Sequence, residues 1–193
     1  MVPSGADRPR IYVVRHGETE WSASGKHTSR TDLDLIEDGR ERAVELGREL
    51  AGISFALVLS SPFKRATETC RLAGFGSQME LDDDLHEWDY GEYEGITTEE
   101  IRREHPEWYL FREGCPGGER PIQVGERADR VLARLRSAGG NALAFAHGHI
   151  LRVITARWLE FDVSDAARFA MAAGSFGVLG FERETEVLQR WGV

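Results

Sequence analysis

The chain has few cysteines and no long apolar run, and each shortage excludes a class of protein. Cys70 and Cys115 are its two cysteines, and they do not form a Cys-x-x-Cys pair. Cysteine this sparse argues against a disulfide framework and fits a reducing compartment. The first residues lack the apolar core of a signal peptide, and no stretch approaches the ~18 apolar residues of a membrane span. We therefore expect a cytoplasmic protein.

An excess of positive charge is also missing. The 24 lysines and arginines face 33 aspartates and glutamates, which gives a net charge of −9. Nucleic acids and anionic membranes bind basic surfaces, so we expect neither as a partner. A small anionic molecule is still a suitable partner, because arginines gathered at one cleft reverse the local field. A homodimer is compatible with the sequence, although no feature specifies one.

Length and hydrophobic content predict a single globular domain over residues 1–193. Hydrophobic residues make up 41% of the chain and charged residues 30%, as in an ordinary soluble domain. Apolar runs indicate buried strands at 11–14, 56–60 and 142–146, a weaker strand at 78–81, and a final hairpin at 176–181 and 185–188. Helical signals are found at 37–50, 62–73, 125–137 and 150–158.

The alternation of strands and helices predicts an α/β fold, with a mostly parallel central sheet and helices on both faces. The part from 82 to 123 is different, because aromatic, glycine and proline residues interrupt it. At most two short helices are indicated there, near 98–104 and 107–111. We interpret this part as an excursion from the sheet that covers the active site.

Polar residues follow each of the three strong strands at the same point. They are Arg15 and His16 after the first strand, Ser61 and Arg65 after the second, and His147 and His149 after the third. The carboxyl ends of parallel strands lie on one edge of the sheet, where ligands bind. Arginine holds phosphate oxygens with a planar fork, and the helix N-termini after the second and third strands add backbone donors. The pattern predicts a site for a phosphate group.

Four motifs resemble, in order and spacing, those of the histidine phosphatase superfamily. They are Arg15-His16-Gly17-Glu18-Thr19, Ser60-Ser61-Pro62 with Arg65-Ala66, Glu87-Trp88-Asp89-Tyr90-Gly91, and Ala146-His147-Gly148-His149. The likeness runs from about residue 11 to residue 181, which is nearly the whole chain. It implies a phosphoglycerate mutase-like fold and phosphoryl chemistry that needs no cofactor and no metal ion.

The resemblance implies roles for five residues. His16 would attack phosphorus and form a phosphohistidine, while its other ring nitrogen donates to a backbone carbonyl. Arg15, Arg65 and His147 would hold the phosphoryl oxygens and stabilise their charge. Glu87 would protonate the leaving alcohol and then take a proton from the attacking water. The acids at 84, 89 and 92 compete with Glu87 for this role.

The resemblance also bears on the substrate. Mutases of the family carry a basic cluster soon after the catalytic glutamate, whereas this chain is acidic there, with Asp89, Glu92, Glu94, Glu99 and Glu100. A phosphatase for small phosphate monoesters, such as sugar phosphates, is therefore favoured over a mutase. Ser22 and the segments 26–32 and 115–119 resemble bacterial acid phosphatases and sedoheptulose-bisphosphatase-like enzymes. The candidate substrate contacts are Ser22, Thr28, Tyr90, His149 and Arg152.

Other interpretations stay open at the level of sequence. The pair His147 and His149 is compatible with a metal-dependent hydrolase, although no further ligands pair with it convincingly. A phosphate-binding module without activity is the second alternative. His27 and His149 suit a structural role as well as a substrate contact. The role of Arg120 and of the loop 115–121 is undetermined.

Overall fold

The computed structural model describes residues 8–193 and contains a six-stranded sheet in the order β3-β2-β4-β1-β5-β6. The strands are β1 (Ile11–Arg15), β2 (Leu57–Ser60), β3 (Met79–Leu81), β4 (Ala142–Ala146), β5 (Phe176–Glu182) and β6 (Thr185–Arg190). The four strands from β3 to β1 pair in parallel, whereas β5 and β6 pair antiparallel. The prediction of a mostly parallel sheet that ends in a hairpin is confirmed.

Seven α-helices connect the strands of the described residues. They are α1 (Glu20–Ala23), α2 (Glu37–Glu49), α3 (Lys64–Leu72), α4 (Thr98–Glu104), α5 (Leu110–Glu113), α6 (Pro121–Arg136) and α7 (Gly148–Trp158). Short 3₁₀ turns occupy Asp83–Leu85, Gly91–Tyr93 and Val163–Arg168. Within residues 8–193 no helix has the length and apolar character that crossing a membrane requires.

The sheet buries both of its faces. On β1, Ile11 and Val13 pack into one apolar cluster and Tyr12 and Val14 into another, because side chains of a strand alternate between its faces. The first cluster includes residues of α6 and α7, and the second includes residues of α2 and α3. Burial on both sides explains why the central strands are continuous apolar runs without polar alternation.

Four helix starts differ from the sequence prediction, and the first is that of α3, which begins at Lys64 rather than at Pro62. Helix α6 begins at Pro121 rather than at Gly125, because proline suits the first helical position and the Gln123 side chain accepts the Arg120 amide N–H at 2.9 Å. Helix α7 begins at Gly148 rather than at Ile150. The short helix expected at 107–111 lies at Leu110–Glu113. All four differences concern where these helices start rather than whether they form.

The part from 82 to 123 lies over the carboxyl edge of the sheet. It contacts the chain that follows β1, where Lys26 pairs with Thr97 as an isolated β-bridge and the His27 amide donates to the Ile96 carbonyl at 3.0 Å. This pairing places the acidic and aromatic side chains of the segment next to the residues that follow β1 and β4.

Candidate active site

One pocket lies at the carboxyl ends of β1 and β4, where the sequence places its histidines and arginines. It is lined by Arg15, His16, Ser22, Gly25, Lys26, His27, Thr28, Glu87, Tyr90, Thr98, Gly148, His149, Arg152 and Met171. All five candidate substrate contacts belong to this wall. Ligands of open α/β sheets bind at this edge.

His16 presents one free ring nitrogen to the pocket. The ring Nδ1 lies 2.7 Å from the Gly17 carbonyl oxygen, which only accepts hydrogen bonds, so we assign the proton to Nδ1 and the lone pair to Nε2. Burial, followed by the charges of Arg65 and Arg15, holds the pKa of His16 well below its usual value. The imidazole of His16 therefore stays neutral, and so nucleophilic, down to a lower pH than the imidazole of a free histidine does.

Gly17 allows this turn at the end of β1. A Cβ atom built on Gly17 would lie 2.3 Å from the Gly39 carbonyl oxygen, a distance that no side chain tolerates. The Gly17 amide donates to Thr69 Oγ1 at 2.9 Å, which ties the turn to α3. The close approach of two backbones thus fixes the direction of the His16 ring.

Arg15 carries an unsatisfied donor at the pocket. Its Nη1 donates to the Met171 carbonyl at 2.5 Å, whereas its buried Nε has no hydrogen-bond partner among residues 8–193. Burial lowers the pKa of Arg15, and the negative charge of Glu87 opposes this shift. Arg15 also lines the pocket, where its positive charge attracts an anion.

Arg65 lies beneath the pocket and is fully buried. Its Nη1 donates to the Thr31 carbonyl at 3.1 Å, and its Nη2 donates to the carbonyls of Thr28 and Ser29 at 3.2 and 3.0 Å. Burial lowers its pKa, with Glu87 again opposing. These bonds fix the guanidinium plane beside His16 and leave part of its donor capacity unused.

Glu94 supports Arg65 from behind, and sequence reasoning missed this role. The Glu94 carboxylate accepts the amide N–H groups of Ser29 and Thr31 at 2.9–3.0 Å. It therefore shapes the loop whose carbonyls hold Arg65. No local pattern in the sequence connects residues that lie more than sixty positions apart.

His147 is the N-cap residue of α7 and lies beside His16, with the two ring centroids 5.1 Å apart. Its Nδ1 accepts from Arg65 Nε at 3.1 Å, so we assign its proton to Nε2, which donates to Ser61 Oγ at 2.8 Å. Burial and then the charge of Arg65 hold its pKa well below the usual value. The ring is neutral, fully buried and beneath the pocket wall.

Glu87 enters the pocket wall, whereas the competing acids of this segment pair elsewhere. Asp84 forms a two-bond pair with Arg130, and Asp89 does so with Arg30. The Glu87 side chain is 6% exposed. Glu87 thus shares the pocket wall with His16, whereas Asp84, Asp89 and Glu92 do not line it.

The start of α7 does not play the part expected of it. The sequence predicts that its amides bind phosphate, but the amides of His149 and Ile150 donate to the Glu87 carboxylate at 2.9 Å each. The Trp88 amide adds a third bond of 2.9 Å. The positive end of a helix attracts any anion, and here that anion is the carboxylate of Glu87.

The candidate substrate contacts differ in how free they are. Tyr90 Oη lies 2.5 Å from His149 Nδ1, and Ser22 Oγ bonds within the cap of α1. Arg152 donates to the carbonyls of Ala166 and Ala167 at 3.1 and 2.7 Å. Each nevertheless keeps atoms on the pocket wall. The side chains of the wall that sequence reasoning did not consider are Lys26, Thr98 and Met171, and His27, which it left open between a structural role and a substrate contact, also lines the pocket.

No group of three or more His, Cys, Asp or Glu side chains suited to a metal ion occurs within residues 8–193. His147 and His149 do not converge on one point, because His147 bonds to Arg65 and Ser61 while His149 bonds to Tyr90. Arg120, whose role the sequence leaves undetermined, is exposed and caps α6 outside the pocket.

A neutral imidazole, two guanidinium groups and one carboxylate at the edge of a parallel sheet define an α/β enzyme that handles phosphoryl groups. A sequence model of the histidine phosphatase superfamily (branch 1) matches residues 11–193. The chain belongs to this family, and it is a phosphatase.

Individual relatives agree with this assignment. The chain is 40% identical over 183 residues to an acid phosphatase of Mycobacterium tuberculosis. The alignment covers 92% of this chain and 89% of that protein. The chain is 34% identical over 188 residues to the sedoheptulose 1,7-bisphosphatase of Saccharomyces cerevisiae, with 80% and 69% covered. A solved structure of an open reading frame product of Mycobacterium tuberculosis superposes with a TM-score of 0.92 at 37% identity, with 96% and 98% covered.

Proposed function

We propose that the chain hydrolyses small phosphate monoesters through a phosphohistidine on His16. The observation that carries the proposal is that one pocket wall holds both a free His16 Nε2 and the guanidinium group of Arg15. The first is a nucleophile in its neutral form, and the second is a cation with several N–H donors. A phosphate ester supplies the phosphorus atom for one and the oxygen for the other.

The reaction then takes two displacements at phosphorus. His16 Nε2 forms a bond to phosphorus while the ester P–O bond breaks, and Glu87 gives its proton to the leaving oxygen. A water molecule next attacks phosphorus and breaks the P–N bond, while the Glu87 carboxylate takes a proton from that water. Inorganic phosphate leaves, and both residues return to their starting states.

The charge on the transferred group is stabilised by Arg15 and Arg65, with His147 behind them. Two guanidinium groups fixed by backbone carbonyls need little reorganisation during the reaction, which is the main source of such catalysis. His147 accepts the Arg65 Nε–H and therefore directs the remaining Arg65 donors. A direct contact between His147 and phosphate would require one of its two ring nitrogens to change partner.

Hydrolysis is favoured over mutase chemistry by what surrounds Glu87. The Glu94 carboxylate accepts backbone amides of the loop that contacts Arg65. Glu99 and Glu100 lie at the exposed start of α4. This segment thus supplies carboxylates where a mutase needs cations to keep a bisphosphorylated intermediate. The dephosphorylated alcohol is expected to leave, and water then receives the phosphoryl group.

Sugar phosphates are the substrate class that we propose. The wall beyond the phosphoryl site offers neutral hydrogen-bonding groups on rings, with Tyr90, His27 and His149 close to one another. Such groups suit hydroxyl groups of a polyol. The names of the relatives, an acid phosphatase and a sugar bisphosphatase, agree with this class. A kinetic panel of sugar bisphosphates, phosphoglycerates and p-nitrophenyl phosphate ranks the candidates directly.

The covalent step is tested by rapid-quench labelling. Mixing the enzyme with a ³²P-labelled ester and quenching in alkali is expected to leave label on His16, because phosphohistidine is stable to base and labile to acid. Peptide mapping locates the label, and His105→Ala, a change at an exposed histidine, is the matched control that keeps it. Turnover without any label on His16 would disprove the covalent pathway. A protein that binds phosphate but shows no turnover would instead support the alternative of a phosphate-binding module without activity.

Metal independence gives a second test. The pocket already provides cationic stabilisation through arginine, so excess EDTA is expected to leave kcat/KM for p-nitrophenyl phosphate unchanged within about 20%, since no Lewis acid takes part. The measurement is a steady-state assay after exhaustive dialysis against the chelator. Loss of activity that a divalent ion restores would instead support the metal-dependent hydrolase.

We also propose a cytoplasmic location and a small phosphorylated substrate as the partner, without nucleic acid or membrane. Cys70 and Cys115 are free, and burial raises the pKa of each thiol to about 12. Thiols kept in this state suit a reducing compartment. The net charge of −9 disfavours a polyanionic surface as partner.

A further inference from the structure

Glu119 and Arg127 form a largely buried ion pair that the proposed reaction does not use. Arg127 Nε and Nη2 donate to the two carboxylate oxygens of Glu119 at 3.0 and 2.8 Å. The side chains of Arg127 and Glu119 are 4% and 16% exposed, and neither lines the pocket. A buried ion pair is weak proof of a stability role, so its other contacts decide what it does.

Arg127 holds the chain immediately before Glu87. Its Nη1 donates to the carbonyl oxygens of Asp84 and His86 at 2.6 and 2.7 Å. The guanidinium thus makes four hydrogen bonds, two to the Glu119 carboxylate and two to this backbone. The carbonyl of His86 belongs to the peptide bond that joins His86 to Glu87, so Arg127 fixes one end of the residue that carries the acid.

Glu119 holds the chain immediately after Glu87. Its carboxylate accepts the Asp89 amide at 2.9 Å, and its backbone carbonyl accepts Trp88 Nε1 at 2.9 Å. The Glu119 amide in turn donates to the Asp89 carbonyl at 2.8 Å. The contact is close, because a Cβ on Gly118 would lie 2.2 Å from the Asp89 carbonyl oxygen. The loop 115–121 therefore packs directly on the segment that carries Glu87.

We propose that the Glu119–Arg127 pair is a positioning unit that sets the distance of the Glu87 carboxyl from the leaving oxygen. This inference rests on the acid–base role proposed above for Glu87. The pair fixes the backbone on both sides of Glu87, while the amides of His149 and Ile150 fix its carboxylate. Because the backbone before and after Glu87 and its carboxylate are all held by hydrogen bonds, the side chain is restricted to one position. Proton transfer is sensitive to the placement of the acid.

The test compares two leaving groups. An alkyl phosphate such as glycerol 3-phosphate needs a proton on its leaving oxygen, whereas p-nitrophenolate leaves without one. For Glu119→Gln we expect kcat/KM to fall about 10–100-fold for the alkyl ester and less than about threefold for p-nitrophenyl phosphate, because only proton delivery is disturbed. Asp129→Asn is the matched control, since it removes a carboxylate from the two-bond pair with Arg157 away from Glu87.

Three further measurements separate the possible outcomes. Glu87→Gln must show the same selective loss, and if it does not, the acid role of Glu87 fails rather than the positioning role. Equal losses on both esters in Glu119→Gln, or none, would overturn the positioning role alone. Arg127→Lys repeats the test if Glu119→Gln does not fold, because its ammonium cannot form the four bonds. Unfolding of both variants would also overturn the proposal, since the pair would then hold the whole fold.

Discussion

Replacing His16 with alanine is expected to lower kcat/KM for p-nitrophenyl phosphate by about 10⁴-fold or more, which corresponds to about 5 kcal/mol of transition-state stabilisation. The reason is that His16 is the histidine of the pocket wall that lies beside His147 and Arg65, with its Nδ1 held by a carbonyl and its Nε2 unbonded. The Nδ1 of His27 also lies 2.7 Å from a carbonyl, that of Ile96, but its ring packs against Tyr90, Trp108 and His149 instead. His147 has both ring nitrogens bonded to Arg65 and Ser61, and His149 Nδ1 is bonded to Tyr90. Steady-state kinetics with enough enzyme to detect slow turnover measures the loss.

The fold is expected to survive this change. His16 makes one hydrogen bond to its neighbour Gly17 and sits at the end of a strand, so the free energy of unfolding is expected to fall by about 1 kcal/mol. Circular dichroism and thermal melting check this, with His105→Ala as the control for an exposed histidine. Binding of inorganic phosphate, measured by calorimetry, is expected to persist because Arg15 and Arg65 remain. A His16→Ala enzyme of near-normal rate would rule out covalent catalysis.

The sheet could be predicted from the sequence because its strands are marked by local patterns. The run 142–146 is apolar at every position, and the structure has β4 at Ala142–Ala146. The starts of the helices are harder to predict from the sequence. Pro121 is a local signal for the first turn of α6 that the prediction did not use, whereas the start of α7 at Gly148 depends on Glu87, sixty residues away. Local patterns define strands, and distant contacts define where these helices begin.

The same difference separates the parts of the site. Arg15 ends β1, His16 and His147 directly follow β1 and β4, and Arg65 lies in the first turn of α3 after β2. The topology of a parallel sheet therefore brings these four residues to one edge. Glu94 and the Glu119–Arg127 pair bind backbone groups of loops. Every residue has a backbone carbonyl, and every residue except proline has a backbone N–H, so the residue types in the sequence do not reveal these contacts. Supporting residues of this kind are identified from the three-dimensional structure.

Arg65→Lys is the second large effect that we expect, a fall of about 10²–10³-fold in kcat/KM. Arg65 uses three nitrogen atoms to reach His147 Nδ1 and three backbone carbonyls, and it lies fully buried beneath the pocket wall. A lysine ammonium has three donors at one point and lacks the planar fork, so it cannot hold both the loop and a phosphoryl oxygen. The charge is retained, and the loss therefore measures geometry rather than electrostatics alone.

Loss of these buried bonds is also expected to lower the free energy of unfolding by about 2–4 kcal/mol, so activity must be measured well below the melting temperature of the variant. Arg71→Lys is the matched control, because Arg71 lies on the same helix and is exposed. We expect it to keep wild-type activity. The KM for p-nitrophenyl phosphate separates ground-state from transition-state contacts of Arg65. A folded Arg65→Lys enzyme within about threefold of the wild-type rate would show that Arg65 supports the loop without acting on the phosphoryl group.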